Sequence, residues 1–118
     1  MRLVRVDEIM KTPVFTIDEE KTGDDALKEM ESKGVKKILV TRQDKPMGVL
    51  EKWKITEVDK SQPIKRLELS PFQVVPIGTE LSSIKSYLRE YTAVYVYDPK
   101  NPEKFVGVIT AFDVALAY

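Results

Sequence analysis

No cysteine and no histidine occurs among the 118 residues. The side chains left to do chemistry are carboxylates, amines and hydroxyls. Thiolate catalysis, disulfides and Cys-based metal sites are excluded, and with histidine goes the commonest general base and metal ligand. Among what remains, two short stretches stand out by their spacing. Gly107-Val108-Ile109-Thr110-Ala111-Phe112-Asp113 sets a hydroxyl and a carboxylate three residues apart, where an apolar run gives way to a final helix. The same pair makes a capping-box-like arrangement, which stabilises a helix start by ~1 kcal/mol with no ligand at all. Gly48-Val49-Leu50-Glu51-Lys52-Trp53-Lys54 repeats the apolar opening but carries Glu51 and Lys54 at the two chemical positions.

These stretches end two related units. Residues 13–30 and 71–88 align without a gap at an offset of 58, with Pro13 on Pro71, Ile17 on Val75, Ala26 on Ile84 and Met30 on Leu88. The pattern predicts the same order twice. Val6 to Met10 is a short helical lead-in, stopped at Pro13, whose ring disfavours helix at Thr12. A strand at Val14–Ile17 follows, then a helix opened by Thr22 as cap with acids in its first turn. Ala26, Leu27 and Met30 form its apolar stripe, Glu29 and Lys33 an exposed pair, and Gly34 a left-handed stop. Strands at 35–41 and 47–50 flank a turn at 43–46, and a helix covers 51–58. The second unit has a lead-in at 64–69, a strand at 73–77, a helix at 79–90, strands at 93–97 and 105–109 around a turn at 98–102, and a helix at 111–118. Domain boundaries are therefore read as repeat one over 1–58, a polar linker over 59–63, and repeat two over 64–118. The fold class is α/β (α+β), with Ile38, Val40, Val49, Val96, Val108 and Ile109 in its core.

Lys+Arg and Asp+Glu both number 19, so net charge is zero. That argues against a nucleic-acid partner, whose affinity is dominated by phosphate contact. It also gives little protection against self-association. No apolar run approaches the ~20 residues of a membrane span, and the start of the chain lacks a signal-peptide pattern. A cytoplasmic location and no membrane partner are the expectation. Each half, near ~60 residues, would be marginal alone, which favours packing of the two.

The duplicated order of lead-in, x-Pro-strand, amphipathic helix, strand, turn, Gly-h-h-Thr-x-x-Asp and helix resembles a tandem pair of CBS (cystathionine β-synthase) domains, a Bateman module. The resemblance covers essentially the whole chain. It implies two β-α-β-β-α repeats packed with pseudo-two-fold symmetry and assembled as a homodimer. It also implies clefts that bind AMP, ADP, ATP or S-adenosylmethionine. Such pairs regulate enzymes, channels or transporters and catalyse nothing themselves. No obligatory cofactor is expected, the adenosine nucleotide being a regulatory ligand, and the output would pass to an effector protein not named by the sequence.

The resemblance also implies site residues. Thr110 would contact phosphate or ribose, and Asp113 would accept hydrogen bonds from both ribose hydroxyls. At the matching positions Glu51 would repel phosphate and Lys54 cannot accept a diol, so the first site reads as lost. Basic residues before the middle strand of the opposite repeat reach the phosphates in this family. Lys36 and Lys37 fill that role, whereas Thr92, Ala93 and Val94 bring no charge. Phe72 and Val74, after Pro71, would pack on the base. The structural alternatives are solvated charges for the lysines, and strand start and core for Phe72 and Val74. Trp53 reads as core or dimer contact, and Tyr87, Tyr91, Tyr95 and Tyr97 as cover for the sheet and interface. Leu27, Met30, Leu81, Ile84, Leu88, Trp53, Phe112 and Leu116 are the candidate dimer contacts. The alternative function is a non-catalytic dimerisation scaffold with vestigial sites.

Overall fold

The computed structural model describes residues 3–117. In chain order the elements are α1 (Val6–Ile9), β1 (Thr16–Asp18), α2 (Gly23–Lys33), β2 (Lys37–Arg42), β3 (Lys45–Glu51) and α3 (Lys52–Ile55). A 3-10 turn at Ile64–Arg66 leads to β4 (Phe72–Pro76). A second, at Leu81–Ile84, leads to α4 (Tyr87–Glu90), β5 (Ala93–Asp98), β6 (Asn101–Ile109) and α5 (Ala111–Ala117). Two three-stranded sheets result, β1-β2-β3 and β4-β5-β6, each with a parallel pair followed by an antiparallel pair. The mixed α/β class and the duplicated order are as read from the sequence. Tyr118 of the expected last helix lies outside the described residues.

The helix over Gly23–Lys33 forms for the reasons its sequence suggests. Thr22 Oγ1 accepts from the Asp25 amide at 3.1 Å, and the Thr22 amide donates to Asp25 Oδ2 at 3.0 Å. Those bonds hold the Asp25 carboxyl below the usual carboxylate range. Gly34 ends the helix at φ 67°, where a side chain is unfavourable. Ala26 and Met30 are fully buried against Ile38, Val40, Leu50, Ile55 and Ile64, and Lys33 Nζ lies over the Phe15 ring at 5.6 Å.

Its counterpart is different. The expected helix over 79–90 is broken into the 3-10 turn Leu81–Ile84 and the short α4. Thr79 Oγ1 donates back to the Pro76 carbonyl at 2.7 Å instead of capping, and the Ser83 amide bonds Glu80 in the tighter 3-10 pattern. Ser82, Ser83 and Ser86 crowd this stretch, and serine competes for backbone partners. The helix expected over 51–58 likewise shrinks to Lys52–Ile55. Thr56 Oγ1 donates to the Trp53 carbonyl at 2.8 Å and draws the chain out of the helix. Strands β3 and β6 start earlier than expected and include Pro46 and Pro102. Both are edge strands, where a missing amide is tolerated.

Packing divides the chain differently from the repeat pattern. One compact unit joins the chain up to Val14 to the chain from Pro71 onward, and the other is Phe15–Ser70. Each lead-in therefore serves the sheet of the other repeat. The Val6 amide bonds Thr79 and the Leu81 amide bonds Val4, while the Ile64 amide bonds Lys21 and the Gly23 amide bonds Gln62. Further along, Lys11 bridges antiparallel to Val108, and Ser70 to Val49. The glycines of the two endings make this approach possible. A Cβ on Gly107 would overlap Met10, and one on Gly48 would come within 2.8 Å of Leu69 Cβ.

Each unit has its own apolar cluster. In the unit containing both chain ends it is Val6, Val75, Leu81, Ile84, Val94, Val96 and Ile109. Ile38, Val40, Val49, Val96 and Ile109 are buried as expected, but Val108 is only half-buried, since its side chain alternates to the opposite face from Ile109. Met30, Leu81 and Ile84 are fully buried within their units, so they are removed as dimer contacts. Their apolar faces are needed by their own sheets. Trp53, Phe112 and Leu116 are exposed, at 57%, 67% and 69%, so Trp53 is not a core residue.

Candidate functional site

The intact ending is built by β6, α5 and the first lead-in. β6 closes at Ile109, Thr110 is half-buried, and Asp113 sits in the first turn of α5 at 7% exposure. The Thr110 amide donates to Asp113 Oδ2 at 2.9 Å, and the Thr110 hydroxyl donates to the same oxygen at 3.2 Å. That oxygen is thus committed to the turn, as half of a capping arrangement. Oδ1 faces Lys11, whose Nζ lies 3.8 Å away. Lys11 is held at its root by two backbone bonds to Val108, at 2.9 and 3.1 Å. Lys11 was not singled out by sequence reasoning.

The first repeat's ending carries an inverted set of charges. Lys54 Nζ donates to Ser70 Oγ at 3.0 Å, and Ser70 Oγ donates to Glu51 Oε2 at 2.7 Å. Lys54 also lies 3.9 Å from Glu51 and 3.8 Å from Glu68. Ser70, only 5% exposed, takes the place on β3 that Lys11 takes on β6. The four groups satisfy one another. Beside them an open groove of about 400 Å³ runs between α3 and the chain at 62–68, floored by Leu50 and Ile55.

The remaining expected residues are placed as follows. Phe72 and Val74 share one face of β4, in the same unit as Thr110 and Asp113. The Phe72 ring meets Tyr95 edge-on at 5.5 Å, and Tyr95 stacks on Phe105 at 5.2 Å. Burial pushes the Tyr95 hydroxyl well above the usual tyrosine range. Val74 pairs in register with Tyr95 and is 37% exposed. Lys36 and Lys37 lie at the entrance to β2 in the other unit, Lys36 exposed and Lys37 half-buried. Among the described residues no cluster of three potential metal ligands occurs, and no helix is long and apolar enough to cross a membrane.

Residues 6–61 match the family model for the CBS domain. The chain carries a CBS domain. The CBS fold extends over both repeats. A conserved CBS domain protein of unknown function from Thermoplasma acidophilum superposes with TM-score 0.80 at 22% identity, over 99% of this chain and 70% of that one. The CBS domains of a transcriptional regulator from Streptococcus pneumoniae give 0.76 at 17% identity, over 98% and 99%. The CBS domain of a bacterial CNNM/CorC family Mg2+ transporter gives 0.79 at 21% identity, over 94% and 72%. Likeness at this identity speaks for the fold. The comparison with curated proteins gave no match. CBS-domain proteins are regulatory ligand-binding modules, and chains consisting only of CBS domains are generally non-catalytic.

Proposed function

We propose that this chain is a regulatory module that binds one adenosine-bearing ligand, AMP, ADP, ATP or S-adenosylmethionine, through Thr110 and Asp113. It reports occupancy to a partner protein, acts in the cytoplasm and assembles as a homodimer through exposed residues such as Trp53, Phe112 and Leu116. The observation that carries the reading is the contrast between the two endings. Asp113 keeps one carboxylate oxygen outside the Thr110 turn, whereas Glu51 and Lys54 are tied to Ser70. Phe72 and Val74 are the proposed base contacts. Lys36 and Lys37 are the proposed phosphate cations, an assignment that rests on the family resemblance.

Calorimetric titration of purified protein with the four compounds tests this. One site per chain is expected. A charge-assisted hydrogen bond contributes ~1.5–3 kcal/mol, so Asp113→Ala should weaken binding by roughly tenfold or more. Lys36→Ala with Lys37→Ala should weaken ATP more than adenosine, most at low salt. Absence of binding at millimolar ligand would overturn the reading in favour of a dimerisation scaffold with vestigial sites. That alternative draws on the Thr110–Asp113 cap, which stabilises α5 without any ligand.

A further inference from the structure

We infer that Lys11 is the residue by which this site tells phosphorylated from unphosphorylated ligands, competing with a ribose diol at Asp113 and repaid only when a phosphate is present. The inference rests on the nucleotide reading above. Its basis is the geometry of one carboxylate. Asp113 Oδ2 already accepts from the Thr110 amide and hydroxyl. A carboxylate oxygen has about two lone-pair sites, so a diol must be received largely at Oδ1. Lys11 Nζ stands 3.8 Å from that oxygen.

The two partners differ in freedom. The Asp113 side chain is 6% exposed and fixed by its turn, whereas that of Lys11 is 67% exposed. The Lys11 backbone is anchored by its bridge to Val108, so its flexible four-carbon stem swings from a fixed root beside the carboxylate. A neutral nucleoside would displace the ammonium into water and receive nothing from it. A nucleoside phosphate would offer the displaced ammonium a new anion. Lys11 thus opposes one ligand class and favours the other. The first repeat supplies an independent indication that this position on the lead-in addresses the helix-start charge. There Ser70, bridged to Val49 as Lys11 is to Val108, hydrogen-bonds both Lys54 and Glu51.

The test is calorimetry of adenosine, AMP and ADP on wild type, Lys11→Met and Lys11→Arg, with thermal melts to verify folding. Lys11→Met should bind adenosine about two- to fivefold more tightly, the scale of one exposed ion pair. It should bind ADP less tightly by a similar factor, and that loss should shrink as salt is raised. Lys11→Arg, which keeps the charge, should retain the wild-type order and serves as the second variant if the methionine form folds poorly. Shifts of the same sign for adenosine and ADP, or none, would overturn the role of Lys11 while leaving the nucleotide reading intact. No binding of any of the three to wild type would overturn both.

Discussion

The ammonium of Lys54 donates a hydrogen bond to the buried hydroxyl of Ser70, and that hydroxyl donates one in turn to Glu51. The relay brings a basic and an acidic side chain into mutual satisfaction through a single serine. Ser70→Ala should therefore destabilise the protein by ~1–3 kcal/mol, because two polar groups lose a partner in a largely buried setting. Urea melts measure the loss. Affinity for an adenosine nucleotide should stay within about twofold of wild type in the same variant.

Lys54→Ala probes the first repeat from the ligand's side. If only the ending at Thr110 and Asp113 binds, calorimetric affinity and stoichiometry should be unchanged. The variant should nonetheless lose stability by up to ~1 kcal/mol, the scale of a partly exposed ion pair. A drop in stoichiometry would show that the first repeat binds after all.

The approach of the lead-ins can be tested by crowding them. Gly107→Ala drives a methyl into Met10, and Gly48→Ala drives one onto Leu69. Each should destabilise by ~1–3 kcal/mol, as overpacking does. Adding Met10→Ala to Gly107→Ala should recover part of that loss through contact between the two sites, whereas adding it to Gly48→Ala should not. Denaturant midpoints of the singles and doubles decide it.

The helix cap at Thr22 gives a pH signature. Bonds from Thr22 hold the Asp25 carboxyl below its ordinary 3.8. A depressed carboxyl contributes stability above its unfolded value, and that contribution disappears as pH falls through the folded value. Thr22→Ala should cost about 1 kcal/mol at neutral pH. The Thr22 amide still donates to the carboxylate in that variant, so the pH signature is read from Asp25→Ala, whose stability gap to wild type should narrow once pH drops below the ordinary carboxylate range, as followed by thermal melts.

Much of the fold could be read from the chain because every element is written twice. Pro13 and Pro71 align, Thr22 and Gly34 mark the ends of α2, and the glycines at 48 and 107 recur. The splitting of the second long helix was hidden, since Leu81, Ile84 and Leu88 keep a helical period while the serines between them undo the backbone. Thr110 and Asp113 were legible because hydroxyl and carboxylate stand at a recognisable spacing. Lys11 was not. It shares its bridge position with Ser70, an offset of 59, while Pro13 and Pro71 are offset by 58. An ungapped alignment sets Lys11 on Leu69 and conceals the correspondence. The use of each lead-in by the other repeat was equally hidden. Its backbone bonds look the same in sequence whichever copy accepts them.

That trade of lead-ins bears on how such a chain can exist at all. A solitary repeat would hold a strand-bridging segment belonging to someone else's sheet, and its own sheet would wait for a segment it does not own. Such a molecule could complete itself only by swapping arms with a second molecule, at a rate set by concentration. Writing the two copies into one polypeptide places each arm permanently near its acceptor, at an effective concentration on the order of millimolar for a short tether. The stretch 59–63 is then less a spacer than the covalent bond that makes a reciprocal exchange unimolecular.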